Sequence, residues 1–399
     1  MEIKSPTLRF KDFSEPWERV SLEEIITLIS GQHLSPEQYN ADSKGTPYFT
    51  GPSDFTNDKY GVTKYSRVKS KLAVKGDILI TVKGSGVGEM IVLELPEVAM
   101  GRQLMAIRAS TKVCSVFLFN RLQKNKRQFV ALASGNMIPG LSRTDITSTK
   151  LLLPSLQEQE KVSDFLSAVD QKVSLLKEKH ALLGQYKKGV MQKLFKKEIR
   201  FKDDSGNEFP DWQELPLSEL SLKVSTKNKD ESVTQVLTNS AKDGIVNQGD
   251  YFNKDIANQG NLGGYTIVEK GDFVYNPRIS ELAPVGPIKR NHKGQGVMSP
   301  LYTVFRFKDK SLLDFVEHYF NTTMWHRYMH SIANFGARHD RMNITTSDFY
   351  ALPVPIPCQK EREKIVAFIE ALNSKCDAVK SQLELTQTFK KGLLQQMFV

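Results

Sequence analysis

The chain contains nearly the same ten residues twice. The decapeptide YKKGVMQKLF ends at Phe195, and FKKGLLQQMF ends at Phe398, 203 positions later. The same offset holds without a gap from Leu141 onward, so that Pro154 matches Pro357. A repeat of this length constrains the fold more than any local pattern, because it predicts two copies of one structural unit.

The front of each copy is more variable than its back. LRFKDFSEPWERVSLEEI, from Leu8, is similar to IRFKDDSGNEFPDWQELPLSEL, from Ile199, and the strand-like VKGDILI around Asp77 is similar to EKGDFVY around Asp272. Between these matches lie short β-rich runs such as GDILITVK, turn clusters, and short stretches such as SVFLFNRLQ and DFVEHYFN that suit helices. The two fronts are therefore predicted to be mixed α/β globules.

The backs predict two long helices. Proline precedes each one, at Pro154 and Pro357, and none follows for about forty residues, as a helix interior requires. Apolar residues then recur every seven positions, which is typical of a coiled coil, with Tyr186 and Phe389 expected beside the seam. The predicted seam is Val162, Val169, Leu176, Leu183, Val190, Ile365, Leu372, Val379 and Leu393. Two separate amphipathic helices, each packed on its own domain, are the alternative.

These patterns together predict the architecture. A helix over Gln157 to Leu194 would be on the order of 57 Å long, and antiparallel pairing of two such helices would place the fronts at opposite ends, related by an approximate two-fold. We expect an α/β (mixed α+β) fold in which two globular domains alternate with two long helices that pair as an antiparallel coiled coil. The expected boundaries are 1–155, 156–197, 198–357 and 358–399.

Composition narrows the classes of partner. The formal net charge is +10 and the sequence pI is near 9.2, which favours nucleic acid first and an acidic protein or membrane surface second. The cysteines, Cys114, Cys358 and Cys376, have no metal-ligand spacing and indicate no disulfide framework. The sequence shows neither a signal-peptide pattern nor an apolar run approaching about 18 residues, so we expect a cytoplasmic protein without a membrane partner.

Catalytic motifs do not hold up in their sequence context. ITVKGSGVGEM resembles a nucleotide-binding glycine loop, but a helix should follow it, and EMIVLELPEVAM instead favours a strand. YNPR lacks the second proline and the aromatic residue of the adenine methyltransferase signature, and no G-x-x-x-x-G-K-[ST] motif is present. The sequence therefore predicts no catalytic residues, no metal site and no cofactor bound by this chain.

Nucleic-acid contact is the better interpretation of the loops. Basic residues lie there among amides, hydroxyls and aromatics; arginine recognises guanine, asparagine and glutamine recognise adenine, and lysine mostly neutralises phosphate. The candidate contacts are Lys44, Tyr48, Thr50, Ser53, Lys83, Ser85, Arg102, Gln103, Asn276, Arg278, Arg290, Asn291, His292, Arg338, His339 and Arg341.

The whole arrangement resembles the specificity subunit of type I restriction-modification systems. The residues that carry the resemblance are the two KGD strands, LPSLQEQEKVSDFLSAVD with its partner IPCQKEREKIVAFIEALN, and the closing decapeptides. The family pattern at the helix start is proline, a few residues and Glu-Gln. The second copy departs from it with Glu361-Arg362, which could alter a contact at the start of that helix.

The resemblance implies a non-catalytic subunit that binds double-stranded DNA. Each front would be a target recognition domain for one half of a split, asymmetric sequence, and the helices would set the gap and dock two methyltransferase (modification) subunits. Restriction/translocase subunits would join that core, with S-adenosylmethionine, ATP and Mg on the partner subunits. The alternatives are a stand-alone S-adenosylmethionine-dependent DNA methyltransferase and a coiled-coil scaffold that does not bind DNA.

Overall fold

The chain forms two compact units. The computed structural model describes residues 6–134, 140–251, 262–334 and 340–398. Unit 1 runs to Glu178 and also takes in the segment from Lys380 onward, whereas unit 2 runs from Lys179 to Val379. Each unit contains a main apolar core and smaller apolar clusters. None of the helices in these described ranges is long and apolar enough to cross a membrane.

Unit 1 is built around a four-stranded antiparallel sheet. Its strands are β1 (Glu18–Ser21), β2 (Ile26–Ser30), β3 (Tyr39–Asn40), β4 (Thr46–Phe49), β5 (Tyr65–Ser66), β6 (Leu72–Val74), β7 (Ile78–Thr81), β8 (Met90–Val92), β9 (Glu97–Met100), β10 (Leu104–Ala109) and β11 (Lys150–Leu153). The central sheet has the order β2-β10-β7-β8, with Ile107 opposite both Leu28 and Ile78. A second sheet has the order β3-β5-β4-β9-β6, and β1 pairs with β11.

The central strand β7 is apolar on both faces because both faces are covered. Ile78 and Ile80 lie in the main core of unit 1, whereas Leu79 lies in a second core beside Phe49 and Met100 of the other sheet. The helices of unit 1 are α1 (Leu22–Ile25), α2 (Ser115–Lys124), α3 (Lys126–Ala133), α4 (Arg143–Thr147) and the start of the long α5 (Leu156–Phe195).

Unit 2 repeats the central sheet. Its strands are β12 (Gln213–Pro216), β13 (Ser221–Val224), β14 (Leu237–Ser240), β15 (Gly244–Asn247), β16 (Thr266–Val268), β17 (Phe273–Tyr275), β18 (Ile288–Arg290), β19 (Gly296–Met298), β20 (Thr303–Phe307) and β21 (Pro353–Ile356). The order β13-β20-β17-β18 reproduces that of β2-β10-β7-β8, and β12 pairs with β21 as β1 does with β11. The strands β14 and β15 form a separate pair, as do β16 and β19.

The helices of unit 2 follow the same plan. They are α6 (Leu217–Leu220), α7 (Gln248–Tyr251), α8 (Leu313–Phe320), α9 (His326–Ile332), α10 (Thr346–Tyr350) and the start of α11 (Gln359–Gln396). The strands predicted at GDILITVK and GDFVYN are therefore confirmed as β7 and β17, and the helices predicted near SVFLFNRLQ and DFVEHYFN as α2 and α8.

The repeated KGD sequence has the same structural role in both units. Its glycine adopts a left-handed conformation, with φ of 91° at Gly76 and 97° at Gly271. The buried aspartate that follows accepts two hydrogen bonds from an arginine across the sheet, at 2.9 and 2.8 Å from Arg108 to Asp77. Asp272 is bound in the same way by Arg306. The glycine and the aspartate of the motif therefore maintain the fold.

A buried glutamate lies at the start of each long helix. The guanidinium of Arg9 donates to both oxygens of Glu158 at 2.8 and 2.7 Å, and the indole of Trp17 donates to the same carboxylate at 3.3 Å. Arg200 and Trp212 bind Glu361 in the equivalent way in unit 2. The similarity of the two front sequences is therefore explained, because each front supplies an arginine and a tryptophan to the helix of its own copy.

The long helices pack antiparallel within each unit. In unit 1 the start of α5 lies against the end of α11, with Val162 and Leu166 in one core with Leu393. In unit 2 the end of α5 lies against the start of α11, with Phe195 and Ile369 in one core.

The predicted seam is buried at most of its positions. Leu183 and Val190 remain partly exposed, whereas the buried positions are Val162, Val169, Leu176, Ile365, Leu372, Val379 and Leu393. Tyr186 and Phe389, expected beside the seam, are both 55% exposed, and Phe389 lines a groove together with the seam residue Val169. The apolar stripe on each helix is wider than one partner helix covers, and the heptad pattern does not tell which edge stays exposed.

Candidate nucleic-acid interface

Three loops of unit 1 that carry predicted contacts lie together. The backbone of Gln103 accepts a hydrogen bond from the N–H of Val82 at 2.8 Å. A Cβ on Gly51 would lie 3.0 Å from Oε1 of Gln103, and one on Gly86 would lie 2.5 Å from Cγ of Pro52. We call residues 50–54, 82–88 and 101–103 loop cluster 1. Its exposed polar side chains include Ser53, Lys83, Ser85, Arg102 and Gln103.

An ionised carboxylate shapes the first of these loops. Asp54 accepts hydrogen bonds from the backbone and the hydroxyl of Thr50 at 2.7 and 2.6 Å, and from Nζ of Lys64 at 3.0 Å. Burial opposes ionisation of Asp54, yet the bonds from Thr50 and Lys64 hold the pKa of its carboxyl below the usual value. The hydroxyl of Thr50 is therefore already occupied within the loop.

Two predicted contacts of unit 1 lie outside loop cluster 1. The ring of Tyr48 is 3% exposed and packs with Leu34 and with Tyr39, and burial raises the pKa of its hydroxyl. We therefore correct its assignment from the surface to the core. Lys44 is exposed, but it lies before β4, at the opposite end of that strand from Thr50 and loop cluster 1. The carbonyl of Lys44 accepts a hydrogen bond from the side chain of Asn40 at 2.8 Å.

Unit 2 presents an arginine where unit 1 presents a lysine. Arg278 follows β17 as Lys83 follows β7, and both are exposed. The preceding carbonyl accepts a backbone hydrogen bond in each unit, from Met342 to Pro277 at 3.0 Å and from Leu141 to Val82 at 2.8 Å. A bridge between Arg278 and Arg341 then brings two predicted contacts of unit 2 side by side.

The other described residues that were predicted as contacts in unit 2 bind backbone carbonyls or carboxylates within that unit. Asn276 is buried and donates to the carbonyl of Asn239 at 3.0 Å, and Asn291 is fully buried and donates to two carbonyls. Both are therefore corrected to structural residues.

Arg290 and His292 lie next to carboxylates. Arg290 is paired with Asp314 at 2.6 Å and with Glu317 at 3.3 Å, and His292 lies 2.7 Å from Glu317. These carboxylates already offset the charge of Arg290. Arg338 and His339 lie outside the described residues.

The residue-level prediction missed the turn that projects beside Arg278. Glu281 and Leu282 occupy the two tip positions of this turn, and the leucine side chain is 69% exposed. An alignment of the two copies signals the turn, because RISELAPVG from Arg278 to Gly286 is three residues longer than KGSGVG from Lys83 to Gly88. Eight positions separate Arg278 from Gly286, whereas five separate Lys83 from Gly88.

The glycine loop of unit 1 leads into a strand. Gly88 is followed by β8, which pairs with β7, as the sequence context predicted. A nucleotide phosphate at such a loop usually binds the N-terminus of a helix, and this segment supplies none. Over the described ranges, no group of three or more histidine, cysteine, aspartate or glutamate side chains is arranged to hold a metal ion.

A second candidate surface lies on the long helices and occurs once in each unit. In unit 1, Leu385 and Phe389 project from α11 and border a groove of about 440 Å³ that Phe165 also lines. In unit 2, Leu182 and Tyr186 project from α5 at positions that correspond to Leu385 and Phe389 at the repeat offset of 203. We call these two exposed pairs of side chains, Leu182 with Tyr186 and Leu385 with Phe389, the helix pairs. In each pair the aromatic residue follows the leucine by one helical turn.

Comparison with known proteins relates the first half of the chain to one family. Residues 14–185 match the model of the type I restriction modification DNA specificity domain. A putative type I restriction enzyme MjaX specificity subunit from Methanocaldococcus jannaschii is 28% identical over 194 residues, which cover 48% of this chain and 45% of that protein. The type I restriction enzyme MjaVIII specificity subunit of the same organism is 24% identical over 214 residues, 52% of this chain and 49% of that protein. In these alignments the chain spans about half the length of the curated relatives.

Solved structures are similar over nearly the whole chain. The S subunit of a type I restriction-modification system from M. genitalium has a TM-score of 0.56 at 16% identity and covers 99% of both chains. A chain from a structure on complex assembly and conformational transition of the type I R-M system also has a TM-score of 0.56, at 17% identity, over 96% of both chains. The HsdS subunit from Thermoanaerobacter tengcongensis has a TM-score of 0.52 at 17% identity, over 96% of this chain and 95% of that one. At such identities the likeness shows the fold.

Proposed function

We propose that this chain selects the DNA target of a type I restriction-modification system, because residues 14–185 match the DNA specificity domain of such systems and nearly the whole chain shares the fold of their solved S subunits. Each unit recognises one half of a split, asymmetric sequence. The chain itself carries out no chemistry. Adenine methylation and DNA cleavage belong to partner subunits, which bind S-adenosylmethionine, ATP and Mg, and the complex acts in the cytoplasm.

The observation that carries this proposal is the difference between equivalent loops on one repeated framework. Lys83 and Arg278 follow equivalent strands and are both exposed, but the loops that begin with them differ in length and chemistry. Lysine suits phosphate as a point charge, whereas arginine can bind O6 and N7 of guanine with two hydrogen bonds. Two frameworks that are alike and carry different loops suit two unlike half-sites.

The helix pairs support docking of two copies of one partner. Leu182 with Tyr186, and Leu385 with Phe389, offer the same exposed chemistry twice. Repeated surfaces on one chain suit two identical subunits, and exposed apolar side chains on helices suit the apolar face of a partner helix. We propose the two methyltransferase subunits as the occupants, with the restriction/translocase subunits joining through that core.

The test of DNA selection is methylation mapping in cells that express the methyltransferase subunit with and without this chain. We expect a split adenine motif that appears only with the chain. If the complex assembles and no new methylation appears, the chain does not select the target. Binding of S-adenosylmethionine by the isolated chain would then favour a stand-alone methyltransferase, and DNA binding that is absent or unaffected by salt would favour a scaffold.

The test of docking uses the double variants Leu182→Ala with Tyr186→Ala, and Leu385→Ala with Phe389→Ala. Each should reduce the number of methyltransferase subunits bound from two to one, as measured by native mass spectrometry. The matched control is Leu222→Ala, since Leu222 is 59% exposed on β13. Retention of two subunits by both double variants would exclude the helix pairs as the docking surface.

A further inference from the structure

We infer that Leu282 is a specificity residue that contacts the C5-methyl group of a thymine in the half-site bound by unit 2. This inference rests on the proposed function. It concerns the turn between β17 and β18, which the sequence patterns did not identify as a contact.

Backbone hydrogen bonds define the turn on its own strands. The N–H of Ser280 donates to the carbonyl of Ala283 at 3.1 Å, and the N–H of Ala283 donates back to Ser280 at 3.0 Å. Such reciprocal bonding leaves Glu281 and Leu282 as the two residues of a tight hairpin tip. The tip is therefore held by main-chain bonds that do not depend on its own side chains.

The base of the turn is anchored in the core of unit 2. Val285 is fully buried, and its carbonyl accepts a hydrogen bond from the hydroxyl of Tyr275 at 3.1 Å. Gly286 has a φ of 77°, and a Cβ there would lie 2.0 Å from the carbonyl oxygen of Asn276, so only glycine fits. A leucine on a base held in this way loses little further backbone freedom when it binds a ligand.

The neighbours of the turn identify the ligand surface. Arg278 is exposed two residues before the turn, and Arg341 bridges it. The N–H of Ile279 donates to the carbonyl of Asp340 at 3.0 Å, which ties the turn to the segment that carries Arg341. Arg341 is paired with Asp340 at 3.4 Å, so Arg278 is the exposed basic residue that makes this edge suitable for a polyanion.

The tip itself is unsuited to phosphate. A carboxylate at Glu281 repels phosphate, and a leucine offers it no donor. Base edges in the major groove fit better, because cytosine presents an N–H donor to a carboxylate and thymine presents a methyl group to an apolar side chain. Burial of a leucine that is 69% exposed against that methyl group also removes apolar surface from water.

The corresponding loop of unit 1 has different chemistry. Between Lys83 and Gly88 it reads GSGV, and a hydrogen bond from the N–H of Val87 to the carbonyl of Gly84 at 3.2 Å places Ser85 and Gly86 at the tip. This tip has neither a carboxylate nor a branched side chain. It suits close approach to the DNA backbone. The apolar contact is thus a property of unit 2 alone and should affect only one half of the target.

The test removes one methyl group at a time from the DNA. After methylation mapping gives the target, Arg278→Ala assigns one half-site to unit 2, and each thymine of that half is replaced by deoxyuridine in synthetic duplexes. The complete complex with the methyltransferase subunits is then titrated with every duplex. For the wild type, one replacement should weaken binding about fourfold, the value of one buried methyl group.

The variants decide whether Leu282 senses that methyl group. Leu282→Ala and Leu282→Gln should bind the thymine and deoxyuridine duplexes equally, whereas Leu222→Ala should discriminate like the wild type. Because Leu282 is exposed, we expect both Leu282 variants to keep the wild-type melting temperature, which would show that they fold. The inference is overturned if both Leu282 variants still discriminate between the duplexes as the wild type does. It is also overturned if no thymine replacement in that half-site weakens binding by the wild type. Both outcomes leave the proposed function intact, whereas the absence of any split target overturns both.

Discussion

Unit 1 and unit 2 differ in the surfaces that meet a ligand and agree in the contacts that hold the fold. Both have the Arg–Glu–Trp contact at the helix start, the Arg–Asp pair across the central sheet and the same strand order. The loops after β7 and β17 share their basic first residue, the serine two positions later and their closing Val-Gly, and differ in the rest and in length. When two copies of one framework differ mainly in their loops, the shared framework contacts provide stability, and the loops can differ in the ligand that they select.

The helix starts show one departure within the repeated part. The side chain of Gln159 accepts a hydrogen bond from the N–H of Cys114 at 2.9 Å and donates to Pro154 at 2.9 Å. In unit 2 the equivalent residue is Arg362, which donates to the hydroxyl of Ser311 at 2.8 Å. The altered contact expected from Glu361-Arg362 is confirmed, and it leaves the buried glutamate contact unchanged.

The largest effect is expected from the buried glutamates. Glu158→Ala and Glu361→Ala should each lower the free energy of unfolding by about 3–5 kcal/mol, because each removes a buried carboxylate from a largely buried guanidinium and a buried indole N–H. Urea unfolding followed by tryptophan fluorescence measures this. Glu160→Ala, at an exposed position on α5, is the control. A loss in only one of the two variants would show that the helix starts are not equivalent.

Variants of the basic residues after β7 and β17 should distinguish base recognition from electrostatic attraction to phosphate. Arg278→Ala should cost about 1–3 kcal/mol of binding and relax selectivity at one base pair, whereas Lys83→Ala should weaken all sequences alike and reduce the salt slope by about one. Salt-dependent titration of the assembled complex with cognate and altered duplexes measures both. Exposed Lys223 on β13 supplies the control variant. Equal losses of selectivity in both variants would contradict the distinction.

A smaller difference is expected between the residues that follow the glutamates. Gln159→Ala leaves the partly buried N–H of Cys114 and the buried carbonyl of Pro154 without this partner, which should cost about 1–3 kcal/mol, whereas Arg362→Ala loses one hydrogen bond, worth about 0.5–1.5 kcal/mol. Chemical denaturation ranks the two variants. The reverse order would mean that the packing of Arg362 outweighs its hydrogen bond.

The smallest effect concerns pH and unit 1. Since hydrogen bonds hold the pKa of Asp54 below its usual value, its stabilisation is full above that value and is lost as the pH falls through the lowered pKa. The melting temperature of the wild type should exceed that of Asp54→Asn at neutral pH, and the gap should close below about pH 4. The turn of unit 2, held by backbone bonds, should show no such change in Leu282→Ala. A gap that widens in acid would contradict the assignment.

Much of the fold could be predicted because repeats and periodicity are present in the order of the residues. The start of α5 at Leu156 lies one residue from the predicted start, since proline before an apolar heptad marks it. Burial could not be predicted at Tyr48, in β4, or at Asn276 and Asn291, because a tyrosine or asparagine has the same sequence signal whether it faces solvent, packs in a core or binds a backbone carbonyl.

The sequence by itself determined the duplication, the two long helices and the basic character of the chain, because each is present in residue order and composition. Only the tertiary structure decided which loops lie together, as Gly51, Gly86 and Gln103 do, and which apolar residues remain uncovered, as Leu282 and Phe389 do. The physical reason is that exposure and proximity depend on contacts between residues far apart in the chain.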